Sequence, residues 1–261
     1  MEELNENDII NEDNEIVDFL ELQTAMNSGT EKCVCKIVKE VNINGHSAFK
    51  TASGFFCNIP SKKIKIFMTN NHFLDEEYIY NEKKIIYYNY QGERKEINLE
   101  KDRFKLSDKD FDFTIIEILE EDNINDFLEL DDFLNSSNYE NEQIFTAQYP
   151  GGRNLQYSHG KILGISSKYL LYSLGTNNGS SGSPIILLNS RKVIGMHKGA
   201  YKSNVITDEN NNNKKNLGIK MKDIFNKIQF IKCKYRIRSD DVGKEIQILN
   251  NGGYIFGTFL K

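Results

Sequence analysis

Short apolar runs separated by polar breaks dominate the first half of the chain. Residues 33–41, 52–59, 63–69, 84–90, 95–99 and 113–118 each read as a strand. They are short, rich in Ile, Val, Phe and Tyr, and bounded by Asn, Gly, Lys and Asp. Asn44-Gly45 falls between two such runs and predicts a tight hairpin turn. A second set follows at 143–148, 156–165, 169–173, 183–188, 193–197 and 217–220. The polar, acidic link over 120–142 is expected to hold a helical turn near 124–130.

Helical spacing occurs mainly at the two ends of this β-rich region. Ile16, Phe19 and Leu20 predict a short amphipathic helix within 15–26, and Met221, Ile224, Phe225 and Ile228 predict another over 221–231. The first residues, acidic and Asn-rich, are expected to be disordered. Residues 232–261 return to alternation (Tyr235, Ile237; Ile246, Ile248; Tyr254, Phe256) and suggest a small β tail of unassigned role. The expected organisation is a leader over 1–28, a β-barrel over 29–138, a second barrel with its helix over 139–231, and the tail. Periodicity alone leaves barrel and sandwich open for this all-β chain.

Charge and cysteine content narrow the class. The net charge is −5, yet residues 1–28 hold nine acidic side chains and no Lys or Arg, so the remainder is mildly basic. That excess forms no basic stripe interleaved with aromatics, which argues against a nucleic-acid partner. No apolar run is long enough to span a bilayer, and no signal-peptide pattern opens the sequence. Cys33, Cys35, Cys57 and Cys233 lack both disulfide-framework density and paired zinc spacing. Buried free thiols and an intracellular, cytoplasmic location are expected.

Chemistry concentrates in Gly175-Thr176-Asn177-Asn178-Gly179-Ser180-Ser181-Gly182-Ser183-Pro184. Glycines around a serine permit a sharp bend that projects Ser181 and aims backbone N–H groups at one point. By itself the segment reads equally as an ordinary turn. His72 follows an apolar strand in Thr69-Asn70-Asn71-His72, and Asp112 opens another in Asp112-Phe113-Thr114-Ile115-Ile116, with Asp110 the competing acid. The order His, Asp, Ser on a two-part β chain is that of a chymotrypsin-type triad. His46 and His159 read as surface or structural.

These segments, with Thr51-Ala52-Ser53-Gly54, resemble the trypsin-like (chymotrypsin-fold) serine proteases over about residues 30–231. In the second half, Tyr149-Pro150-Gly151, Gly160-Lys161-Ile162, Thr176 and Val193-Ile194-Gly195-Met196-His197-Lys198-Gly199 are similar to the bacterial glutamyl endopeptidases. The resemblance implies two six-stranded Greek-key barrels with the active site between them, a C-terminal helix and a polypeptide substrate. It implies Ser181 as nucleophile, His72 as base, Asp112 as its orienting acid, and the N–H groups of Gly179 and Ser181 as oxyanion donors. No metal or organic cofactor is expected. Thr176, His197 and Gly199 would contact the substrate. The trypsin branch carries an acid where this chain has Gly175, so cleavage after Lys or Arg is disfavoured. Glu stands against small or apolar residues as the preferred side chain, and a catalytically silent binding module stands as the alternative to an enzyme.

Overall fold

The computed structural model describes residues 19–59, 64–131, 139–201, 215–227, 248–250 and 253–255. The expected disorder at the extreme N-terminus, Cys233 and most of the tail lie outside them. Contacts divide the chain into a unit over Met1–Lys222 and a second over Asp223–Lys261.

In the first unit, α1 (Phe19–Met26) is the helix the leader pattern predicts, with Leu22 and Ala25 buried. A single turn, α2 (Thr30–Cys33), leads into β1 (Val34–Ile43) and β2 (His46–Ile59). Their hairpin turns at Asn44 and Gly45, both at positive φ (53° and 83°), as a two-residue turn matching strand twist requires. There follow β3 (Ile64–Thr69), α3 (Glu76–Asn81), β4 (Lys84–Tyr88), β5 (Arg94–Asn98), β6 (Lys105–Asp108), β7 (Phe113–Glu117) and β8 (Leu128–Glu129). They form one eight-stranded sheet in the order β5-β4-β1-β2-β3-β7-β6, with β8 parallel to β2. It curves as a half-barrel around Ile37, Phe56, Phe67, Leu74, Ile85 and Ile116. Phe56 packs between Phe67 and Tyr87, with centroids 5.6 and 5.5 Å away.

The helical turn expected near 124–130 lies earlier, at Glu120–Asp122. Arg103 sets this position. Its buried guanidinium grips Asp122 through Nη1–Oδ2 and Nη2–Oδ1 contacts of 2.8 and 3.0 Å. Ile124 and Phe127 then pack on the core from irregular backbone, and Leu128 pairs with Cys57.

The next six strands are β9 (Gln143–Gln148), β10 (Gln156–Ile165), β11 (Tyr169–Ser173), β12 (Pro184–Leu187), β13 (Val193–Ala200) and β14 (Lys215–Lys220). They close into a barrel in the order β10-β11-β14-β13-β12-β9, filled by Ile144, Ile162, Leu170, Tyr172, Ile185 and Ile194. The architecture is thus mostly β, a closed six-stranded barrel beside a half-barrel, as in chymotrypsin-like double-barrel folds. Residues 221–227 are helical, within the helix predicted over 221–231. In the second unit, β15 (Ile248–Asn250) and β16 (Gly253–Ile255) pair antiparallel, part of the expected β tail. Cys33, Cys35 and Cys57 are free and buried. Among the described residues no helix is long and apolar enough to cross a membrane.

Barrel closure between β10 and β11 depends on close backbone approach at Gly160, where an added Cβ would stand 1.7 Å from the Ser173 carbonyl oxygen. At Gly164 the same atom would meet nothing within 4 Å. Gly160→Ala is therefore expected to destabilise by about 1–3 kcal/mol, while Gly164→Ala stays within about 0.5 kcal/mol of the parent. Urea melts of the two variants check the contrast.

Candidate active site

Strand β3 delivers His72 at its C-terminal end, where Asn70 and Asn71 are buried and the imidazole is about half exposed, at 48%. Asp112 sits just before β7 in the left-handed region, φ 59°, a conformation Asp tolerates better than most residues. That turn brings its carboxylate back onto His72. Nδ1 lies 3.0 and 2.9 Å from the two carboxylate oxygens, and the His72 backbone N–H donates to Oδ1 at 2.9 Å. Asn70 Nδ2 donates to the Asp112 carbonyl at 3.1 Å and secures the turn. The competing acid, Asp110, is exposed.

A third group joins this pair that the sequence reading did not single out. Lys198 Nζ lies 2.8 Å from Asp112 Oδ2. The β13–β14 register explains its aim. His197 pairs with Gly218 and Gly199 with Leu217, so Lys198 is the extra residue of a bulge. Bulges turn a side chain out of the regular alternation. Burial acts to raise the Asp112 pKa, but the hydrogen bonds from His72 and Lys198 outweigh it and hold the carboxyl below its ordinary value.

The serine turn lies on the barrel between β11 and β12. Gly179 (φ 92°) and Gly182 (φ 85°) both occupy the left-handed region that the glycine pattern anticipates. A Cβ on Gly182 would stand 2.2 Å from Ser53 O and 2.5 Å from Thr69 Oγ1, so the turn rests directly on β2 and β3. Ser53 clamps it. Its N–H donates to Ser181 O at 2.9 Å, and its hydroxyl donates to Gly179 O at 2.9 Å while accepting from Tyr149 N–H. The Asn178 carbonyl, in turn, accepts from Gly151 N–H. With these carbonyls engaged, the N–H groups of Gly179 and Ser181 have no hydrogen-bond partner among the described residues. The same holds for the Ser181 hydroxyl and His72 Nε2.

Thr176 and His197 flank this turn. The His197 carbonyl accepts from Gly182 N–H at 3.0 Å, and its N–H donates to Ser183 O at 2.8 Å. Its ring is buried, with Nδ1 at 2.5 Å from Tyr172 Oη. Burial and then the nearby charge of His72 lower its pKa to about 4. Thr176 Oγ1 donates to Asn216 Oδ1 at 2.8 Å, and Asn216 Nδ2 donates to Leu174 O. Gly199 lies beyond the bulge with open space where a Cβ would stand. Of the remaining histidines, His46 is exposed and His159 half-buried in β10.

A half-barrel and a barrel that meet at a His–Asp pair and a glycine-flanked serine turn have the chymotrypsin-like double-barrel architecture. The chain belongs to the family of trypsin-like peptidase domains, whose model matches residues 52–196. It is similar in structure to the serine endoprotease from Yersinia pestis, with TM-score 0.57, 14% identity, and coverage of 80% of this chain and 65% of that one. It is also similar to the active form of the Rv3671c protease from M. tuberculosis (TM-score 0.58, 17% identity, 82% and 86% covered). An HtrA-type protease with a tripeptide gives TM-score 0.57 at 12% identity, with 80% and 62% covered. At such identities the likeness is one of fold. The chain spans about two thirds of the length of the first and third of these proteins. No curated protein sequence matches at a significant level.

Replacing Lys198 by Met removes the ammonium partner of a buried carboxylate, at an expected cost of about 1–3 kcal/mol at pH 7. Because the native Asp112 pKa is depressed, its contribution is present above the unfolded value of about 4 and fades as pH falls through the lower native one. Denaturant melts of parent and Lys198→Met should therefore differ at neutral pH and converge in acid.

Proposed function

We propose that this peptidase is a serine endopeptidase acting through Ser181, His72 and Asp112. The observation that carries the proposal is the glycine-bounded turn itself: Gly151 N–H holds the Asn178 carbonyl and Ser183 N–H the Ser180 carbonyl, and the N–H groups of Gly179 and Ser181 that share those peptide units have no partner among the described residues. Such a pair is what a developing oxyanion requires. The Ser181 hydroxyl attacks the peptide carbonyl carbon while His72 Nε2 takes its proton. The oxyanion that forms accepts from the two N–H groups. The C–N bond then breaks, the same proton passes to the departing amine, and an acyl-enzyme remains. Water repeats the sequence and releases the acid. Asp112 holds the imidazole with Nδ1–H toward itself, which leaves Nε2 as the basic nitrogen that accepts the serine proton.

The substrate is a polypeptide. Thr176, His197 and Gly199 form the specificity site, with Gly175 leaving no acid for a Lys or Arg side chain. Two polar groups at this site favour a polar side chain of glutamate shape over a small or apolar one, in keeping with the resemblance to glutamyl endopeptidases.

A fluorophosphonate probe is expected to label the folded protein, and Ser181→Ala to abolish both labelling and peptide hydrolysis. Asp112→Asn should lower kcat by about 10⁴. Stable peptide binding with neither labelling nor turnover would instead identify a protease-fold binding module.

A further inference from the structure

We infer that the specificity pocket selects a carboxamide side chain, so that the enzyme cleaves after Gln in preference to Glu. The inference rests on the peptidase reading above and on the direction of two hydrogen bonds behind the pocket. Tyr172 is fully buried, and among the described residues its hydroxyl has one partner, His197 Nδ1. A buried hydroxyl needs an acceptor for its proton. Nδ1 is thus the acceptor, and a neutral imidazole that accepts at Nδ1 carries its hydrogen on Nε2. His197 presents a donor. Gly218, opposite His197 in β14, makes the contact possible, because its missing side chain leaves the space where the Tyr172 ring passes, with Cε1 3.0 Å from where a Cβ would stand.

Thr176 has the opposite polarity. The Asn216 amide donates to Leu174 O, which turns its Oδ1 toward Thr176 and takes up the threonine proton. Thr176 Oγ1 then offers lone pairs only. Tyr172 and Asn216 are directly opposite in the β11–β14 register, so the two locks stand side by side. The pocket therefore offers one donor and one acceptor. A carboxamide meets both, its oxygen accepting from Nε2–H and its nitrogen donating to Thr176. A carboxylate has only acceptors and meets the threonine with lone pair against lone pair. Converting His197 to an imidazolium would deprive the Tyr172 proton of its acceptor, which removes the simplest cationic partner for an acid.

The test is kcat/KM on peptides that differ only before the scissile bond, in Gln, Glu, Ala or Leu. Gln is expected to exceed Glu by at least about tenfold. Glu equal to or better than Gln, or Ala or Leu as the best substrate, overturns the inference. If turnover is too slow to measure, the corresponding peptide aldehydes are titrated against fluorophosphonate labelling of Ser181. The Gln aldehyde should protect at about tenfold lower concentration, and equal protection by the Glu aldehyde overturns the inference while leaving the peptidase reading intact. Absence of labelling defeats the peptidase reading itself, and the inference with it. Tyr172→Phe, which keeps the buried ring, should bring the Gln/Glu ratio toward one. Thr176→Val, at a half-buried position, should lower the rate on Gln about 10–100-fold and spare Leu. An unchanged ratio in both variants counts against the locks.

Discussion

Ser53 holds the two sheets in the relation that the site requires. Its backbone belongs to β2, yet its N–H and hydroxyl reach Ser181 and Gly179 on the barrel, and the same hydroxyl receives Tyr149 N–H. All of its hydrogen-bonding groups at this junction are satisfied without exposure to water, where each lost bond would strand a buried polar group at a cost of about 1–3 kcal/mol. Within the turn that the clamp seats, stereochemistry does the rest. A peptide unit has its N–H and C=O fixed in opposite directions. With the Asn178 carbonyl held by Gly151 N–H and the Ser180 carbonyl by Ser183 N–H, the N–H groups of Gly179 and Ser181 are turned the other way. Glycine at 179 and 182 supplies the left-handed backbone that this orientation demands.

Asp112 forms the second bridge between the sheets, and here the linkage is ionic. Its carboxylate belongs to the half-barrel, receives His72 from the same sheet, and receives Lys198 from the bulge in β13. A carboxylate that accepts from both an imidazole and an ammonium is better compensated for its burial than one with a single partner. The bulge is what admits the lysine, since regular alternation after the buried His197 would place the next side chain on the other face without the sideways turn.

Much of this was legible before any coordinates, and what was hidden shares a cause. Strands with a buried face announce themselves through local apolar pattern, and β7 and β10 match their expected ranges closely. Strand β6 (Lys105–Asp108) leaves no local pattern, because Leu106 is its one apolar residue and its existence depends on pairing with β7. Helix α3 carried a readable signal in Asp75, whose side chain caps Tyr78 N–H. In the site, His72, Asp112 and Ser181 stand in short motifs whose backbone demands are visible in Asn, Asp and Gly. Lys198, Asn216, Tyr172 and the hydroxyl of Ser53 act on partners 86, 40, 25 and 126 residues away. No local pattern encodes such a contact, and Lys198 in particular resembles any solvated lysine until the bulge is seen.

The same separation of local and distant information governs specificity. In the proposed specificity site, residue types alone offer a hydroxyl and an imidazole, and each can donate or accept, so an acid and an amide fit equally on paper. Under the proposed reading the choice is made one layer deeper, by Tyr172 and Asn216 behind the two groups. Tyr172 commits one nitrogen of His197, and Asn216 commits the proton of Thr176. Forcing a second proton onto His197 would leave a fully buried tyrosine hydroxyl without an acceptor, a penalty of about 1–3 kcal/mol added to that of burying the new charge. The low pKa of His197 follows from that burial. A pocket can therefore be polar and still discriminate against charge, provided its polar groups have been assigned their roles before the ligand arrives.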